Sequence, residues 1–174
     1  MSGSLRVNVR EGRWRTVRAH PLAILATTAA ALDVVTTTAI LSSPRFAELN
    51  GLLSLLSGVH LGLAVGYFTL LCGLLSLATW LRLGWLSTLC GTYLVVAMGV
   101  GGGVNNLVLF STGASLYDRL PVDPTVAYTS LLAVSVVVAL ALISRHDRVP
   151  WRELGVGVLL FTAGELLTVG LRFL

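Results

Sequence analysis

Five apolar stretches dominate this chain of 174 residues, running approximately over 21–42, 52–80, 84–111, 125–144 and 154–173. A helix needs about 20 residues to cross the hydrocarbon core of a bilayer, and each stretch reaches that length. The pattern predicts an all-α membrane protein, a bundle of about five transmembrane helices. Charge supports the same class. Only 11% of residues are charged, against roughly 25% in soluble domains, too few to cover a water-exposed surface.

The chain divides into a basic N-terminal tail, residues 1–20, and a single transmembrane domain, residues 21–174. All the basic residues are arginines, and their distribution sets an orientation. Arg6, Arg10, Arg13, Arg15 and Arg18 in the tail share one side with Arg82, Arg145, Arg148 and Arg152. Arg45, Arg119 and Arg172 lie on the other. Cytoplasmic loops carry the arginine excess, so the expectation is a multi-pass protein of the cell membrane with the N-terminus cytoplasmic and the C-terminus outside. This placement accounts for the basic balance without nucleic acid. Thr27, Thr28 and Asp33 interrupt the first apolar run, which argues for a retained span over a cleaved signal peptide. Cys72 and Cys90 lie inside apolar runs and are expected as small buried side chains.

Glycines suggest how the helices meet. Gly58, Gly62 and Gly66 recur every fourth residue, and Gly99 and Gly103 repeat the spacing inside Gly99-Val100-Gly101-Gly102-Gly103. Small residues four apart let another membrane helix approach closely. Packing within the bundle is expected, with a homo-oligomer interface as the alternative. The cluster of glycines in the third run also predicts a bend or break. The turn Arg82-Leu83-Gly84 is short enough to make runs two and three an antiparallel hairpin. Run four has no glycine and is expected to face lipid.

Ionisable groups inside a bilayer are costly and mark candidate sites. Asp33, His60 and Glu165 are the clearest, with Asn105 and Asn106 beside them and Glu48 and Asn50 at the mouth of run two. At the 1.5 Å rise of a helix, Asp33, His60 and Glu165 each lie roughly 12–13 Å from the outer end of their runs, and the two asparagines roughly 8 Å. Equal depth predicts one polar cluster in the outer half. Thr36 and Thr37 stand three and four residues after Asp33, on the same face. Asp33, His60 and Glu165 are candidate ligands for a metal or carriers of protons. The same groups could instead bond one another and hold the helices in register.

Asp33-Val34-Val35-Thr36-Thr37, followed by Glu48-Leu49-Asn50, resembles the signature of a family of small, mostly archaeal membrane proteins. Its pattern is Asp-x-x-Thr-Thr, a short connection, then Glu-x-Asn-Pro. Gly51 stands here in place of the proline. The resemblance implies that the first two helices form the defining hairpin and that Asp33, Thr36, Thr37, Glu48 and Asn50 are the signature. It supplies no activity, and any cofactor is left open.

Enzyme motifs are missing. There is no Gly-x-Ser-x-Gly, no His-Glu-x-x-His and no phosphate-binding loop, and Ser57 three residues before His60 is a weak substitute. The expected role is therefore non-enzymatic: an accessory or assembly subunit that meets a membrane-protein partner or a second copy. A metal- or proton-dependent function at Asp33, His60 and Glu165 is the alternative.

Overall fold

The computed structural model describes residues 21–43, 45–46, 51–146 and 151–170. The basic tail, Glu48, Asn50 and Arg172 lie outside the described residues, as does the side chain of Glu165. Among the described residues all regular structure is helical. Among the described residues four helical segments are long and apolar enough to cross a membrane: Pro21–Leu41, Leu61–Trp80, Trp85–Thr112 and Pro124–Arg145. We label the elements α1 (Pro21–Leu41), α2 (Gly51–Val59), α3 (Leu61–Trp80), α4 (Trp85–Tyr93), α5 (Asn105–Thr112), α6 (Pro124–His146) and α7 (Trp151–Gly170). A π-helix, Leu94–Val104, joins α4 to α5 without interruption. The described apolar part of α7 is shorter, Leu154–Gly164.

The bundle centre is α1 against the π-helix. Along α1 the buried residues Ala23, Ala26, Ala30, Asp33, Thr37 and Ile40 alternate three and four apart. That spacing draws one seam down the helix. Its first half is alanine, so a neighbour can come close. The π-helix uses this: a Cβ at Gly99 would lie 2.8 Å from the Ala29 Cβ, and one at Gly103 would lie 2.8 Å from Leu32 Cγ. Asp33 therefore occupies a core position of the seam. The main core adds Phe68 and Cys72 of α3 to Tyr93, Leu94 and Met98. A second core joins Leu89, Ala139, Ile143 and Leu154 where α4, α6 and α7 meet.

Local chemistry ends the helices. Arg82, at φ 52°, and Gly84, at φ 56°, turn α3 into α4, and the Ser87 hydroxyl donates to the Thr79 carbonyl at 2.9 Å across that hairpin. Gly113 closes α5 in the left-handed conformation, with its N–H on the Leu109 carbonyl at 2.8 Å. Asp123 accepts from the N–H of Thr125 at 2.8 Å, and Pro124 takes the first position of α6, where its missing N–H costs nothing.

Run two is longer than one span needs, which predicts tilt or a local break, and the structure has a break. It is two helices, broken at His60, whose backbone is extended (φ −163°, ψ 119°). The His60 Nδ1 accepts the N–H of Gly62 at 3.1 Å. The side chain thus serves one of the donors that the start of a helix leaves without a backbone partner. A straight helix would separate Leu53 from Phe68 by about 22 Å, yet both line one cavity. The short α2 therefore folds back beside α3. His60→Ala is expected to cost about 1 kcal/mol, the usual worth of such a cap, while His60→Asn retains most of it. Thermal denaturation of the two variants, with hydrogen exchange at the Gly62 amide, checks this.

The break also overturns the expected packing of Gly58, Gly62 and Gly66. A Cβ at Gly58 or Gly66 would meet nothing within 4 Å, and one at Gly62 would meet only the ring of His60. Gly58 stands on a different helix from the other two, so spacing by four no longer describes one face. Helix α3 buries the opposite side, through Ala64, Phe68, Cys72, Ser76 and Thr79. The peripheral role expected for run four belongs more to α3. In their apolar windows 17% of α3 is buried against 28% of α6, which inserts Leu132, Ser135, Ala139 and Ile143 into the bundle.

Candidate functional site

The site grows from the middle of the α1 seam. Asp33 is 3% exposed, and its carboxylate lies directly against Gly102 of the π-helix. Only a residue without a side chain leaves that room. One turn on, the Thr37 hydroxyl donates to Asp33 Oδ1 at 3.0 Å. The Asn106 amide nitrogen in turn donates to Thr37 Oγ1 at 3.1 Å and to Thr36 Oγ1 at 3.2 Å. Donors thus run in one direction, from Asn106 through Thr37 to the carboxylate, and each bond polarises the next. Thr36 returns its own proton to the Leu32 carbonyl at 2.9 Å. The Asp-x-x-Thr-Thr segment acts as a unit because residues three and four apart share a helix face.

Asn105 is turned about 100° from Asn106 and serves another partner. Its Oδ1 accepts the N–H of Leu116 at 2.8 Å, which fixes the loop after α5. Tyr117, 6% exposed, reaches back from that loop and donates its hydroxyl to the Gly101 carbonyl at 2.8 Å. Ser115 and Asp118 close the loop reciprocally: the Ser115 N–H donates to Asp118 Oδ2 at 2.8 Å and the Asp118 N–H to Ser115 Oγ at 3.1 Å.

Asp33, Thr37, Asn105, Asn106, Ser115 and Asp118 line a half-open cavity of about 270 Å³. Its lining runs from buried Asp33, Asn105 and Asn106 to exposed Arg45 and Asp118. Ile40, Leu53, Phe68 and Met98 supply apolar wall, and Tyr128 and Phe46 add aromatic surface. No family model, curated protein or solved structure matches this chain.

Of the residues singled out by sequence, the structure brings Asp33, Thr36, Thr37, Asn105 and Asn106 together. His60 does not join them. It is exposed, caps α3 and is not among the lining residues of the cavity. Equal depth was the ground for grouping it with Asp33, but depth fixes height in the bundle and not position around it. Glu48, Asn50 and the Glu165 side chain lie outside the described residues. Among the described residues no three of His, Cys, Asp and Glu gather as a metal-binding group. Tyr117, Ser115 and Asp118 were missed by sequence reasoning. Ser115-Leu116-Tyr117-Asp118 carries the Ser-x-x-Asp pattern of a capping box, so the latter two were findable. Nothing local distinguishes a buried loop tyrosine.

Tyr117 makes the loop sensitive to alkali. Burial, helped by the Asp33 carboxylate, pushes its hydroxyl up to about 12, from an ordinary value of about 10. Between those values the folded chain keeps a proton that the unfolded chain has lost. The stabilisation is therefore complete below about pH 10 and declines as pH rises towards about 12. Melting temperatures measured from pH 9 to 12 are expected to fall less steeply for Tyr117→Phe than for the wild type.

Proposed function

We propose that this chain is a membrane protein of five spanning helices that binds a small solute in the cavity at Asp33. The observation behind this reading is continuity: one cavity connects exposed loop residues with a carboxylate buried at mid-helix. Binding sites in membrane helices characteristically place a polar group at such depth. The arginine distribution supports a cytoplasmic N-terminus. With α7 as the fifth span, the cavity opens on the outer side and the C-terminus lies there too. The resemblance to the mostly archaeal family supports α1 as the carrier of the signature. The function is non-enzymatic in this reading: the Thr37 hydroxyl is engaged with Asp33 of its own helix, and the sequence carries no Gly-x-Ser-x-Gly, His-Glu-x-x-His or phosphate-binding loop. Asp33, His60 and Glu165 acting together on a metal or proton has less support, because His60 is engaged at the start of α3.

A second reading, an accessory or assembly subunit, is favoured by one feature. The Asn106 bonds to Thr36 and Thr37 join two spans directly, so the polar groups also hold the helices in register. The exposed face of α3 would then meet a membrane-protein partner or another copy.

Thiol labelling separates the readings. With Cys72 and Cys90 replaced by alanine, Met98→Cys in the cavity wall is expected to react with a small water-soluble methanethiosulfonate reagent. Ala139→Cys, in the second core and 0% exposed, is the unreactive control. Equal protection of both cysteines would leave only the structural role.

A further inference from the structure

We infer that the second half of the π-helix is a two-position switch, which releases the loop at 115–118 while α1 keeps its contacts. Both positions are properties of the packing, whether or not the cavity takes a solute.

A π turn closes on the fifth residue and an α turn on the fourth, so a π turn holds one residue more. Winding one such turn down to α returns the spare residue to the helix beyond. That part turns by about 100° and advances by about 1.5 Å, and each residue then stands where the next one stood. Single π turns within α-helices are frequent at functional sites. Here four glycines in the five residues Gly99-Val100-Gly101-Gly102-Gly103 leave the backbone free to rewind.

On the side that faces α1 the residue types repeat. In the present position Gly102 leaves room for the Asp33 carboxylate and Gly103 faces Leu32. One step on, Gly101 replaces Gly102 and Gly102 replaces Gly103, so glycine meets both neighbours again. Asn106 donates to Thr36 and Thr37. One step on, Asn105 takes its bearing and brings the same amide to the same hydroxyls. The turn begins after Gly99, since Met98 in the place of Gly99 would press a side chain against the Ala29 Cβ. Asn106 moves to the exposed place of Leu107 and loses its buried bonds, which keeps the second position the less populated.

On the side that faces the loop nothing repeats. The Gly101 carbonyl accepts the Tyr117 hydroxyl, and Val100 would arrive in its place. A Cβ there lies 2.8 Å from Leu131 Cδ2 and 3.0 Å from the Tyr117 oxygen, so Tyr117 is pushed off the helix. Asn105 Oδ1 accepts the Leu116 N–H, and Val104, which would replace it, has no acceptor on its side chain. Both bonds from the loop to this helix are lost together. Ser115 and Asp118 line the cavity, so their release opens it on the loop side.

The test uses the full-length, detergent-solubilised chain with Cys72 and Cys90 replaced by alanine. Thr36→Cys is paired in turn with Asn105→Cys, Asn106→Cys and Leu107→Cys, and each pair is offered a methylene-bridged bis-methanethiosulfonate. Asn105 and Leu107 stand about 100° to either side of Asn106. Random motion serves them alike, whereas the switch serves Asn105 alone. The Asn106 pair is expected to link fastest. Minor states commonly hold about 0.1–10% of a population, so the Asn105 pair is expected at about a tenth to a thousandth of that rate, and the Leu107 pair more slowly still. Equal rates for the Asn105 and Leu107 pairs would overturn the second position. Hydrogen exchange then reads the loop. Linking Thr36→Cys to Asn106→Cys holds the present position and is expected to slow exchange of the Leu116 amide severalfold against the same chain unlinked. Unchanged exchange would overturn the release of the loop. Absence of linking in the Asn106 pair would overturn the contact with Thr36, and the switch with it.

Discussion

Gly102→Ala is expected to destabilise the protein by about 1–3 kcal/mol, the usual cost of overpacking, and Asp33→Ala is expected to restore much of that loss. The new methyl group would fall on the Asp33 carboxylate. That carboxylate cannot simply rotate aside, because Thr37 donates to it and the chain of donors from Asn106 stands behind Thr37. The sign is informative. In a helix alanine ordinarily gains up to about 1 kcal/mol over glycine, so a net loss has to come from the contact. A thermal or denaturant double-mutant cycle reads the coupling directly. Neighbouring residues commonly couple by about 0.5–3 kcal/mol. Additive losses would mean that Gly102 serves the backbone of the π-helix rather than the room for Asp33.

Gly99→Ala is expected to cost a similar amount, about 1–3 kcal/mol, for a different reason. Its methyl would meet the Ala29 Cβ at 2.8 Å. A Cβ has no torsion by which to move away, so the helices themselves must separate. At Gly103 the nearest atoms are Leu32 Cγ and Cδ2, with the Asp33 backbone nitrogen next at 3.3 Å; the leucine can change rotamer, so the cost there is smaller. Gly66→Ala meets nothing within 4 Å and is expected to be neutral or to gain up to about 1 kcal/mol. The order Gly99, Gly103, Gly66 in unfolding experiments would establish which glycines bring helices together. Equal losses at all three would contradict the packing described.

The contrast between these glycines marks what sequence conveys. Spacing by four announces a face in both runs, but it does not say whether that face looks inward. The neighbour decides, and only α1, with alanines along its seam, has a surface to match Gly99. The spans were legible because continuous apolar length is a local property. The break at His60 was not, since residues 52–80 contain no proline and remain apolar on both sides of it. Only the excess length hinted at it. The polar site was half legible. Asp33, Thr36 and Thr37 share a helix face by arithmetic, and Asn106 met them as its depth suggested. His60 had the same depth and stands elsewhere, because no residue count along one helix gives its angle around the bundle. Tyr117 joins the site through a loop whose path depends on the Asn105 bond to Leu116.

The π-helix Leu94–Val104 turns the site into a matter of phase. Asn105 and Asn106 lie immediately after it, and their bearing towards α1 and towards the Leu116 loop is the summed rotation of every residue before them. Removing one residue from a helix turns everything beyond it by about 100° and shortens it by about 1.5 Å. Such a deletion between Leu94 and Val104 would leave a perfectly apolar span, still long enough for the membrane, with Asn106 swung out of reach of Thr36 and Thr37. Substitutions in this stretch are judged by size alone, whereas a change in its length would be judged by angle, and hydropathy would give no sign of the damage.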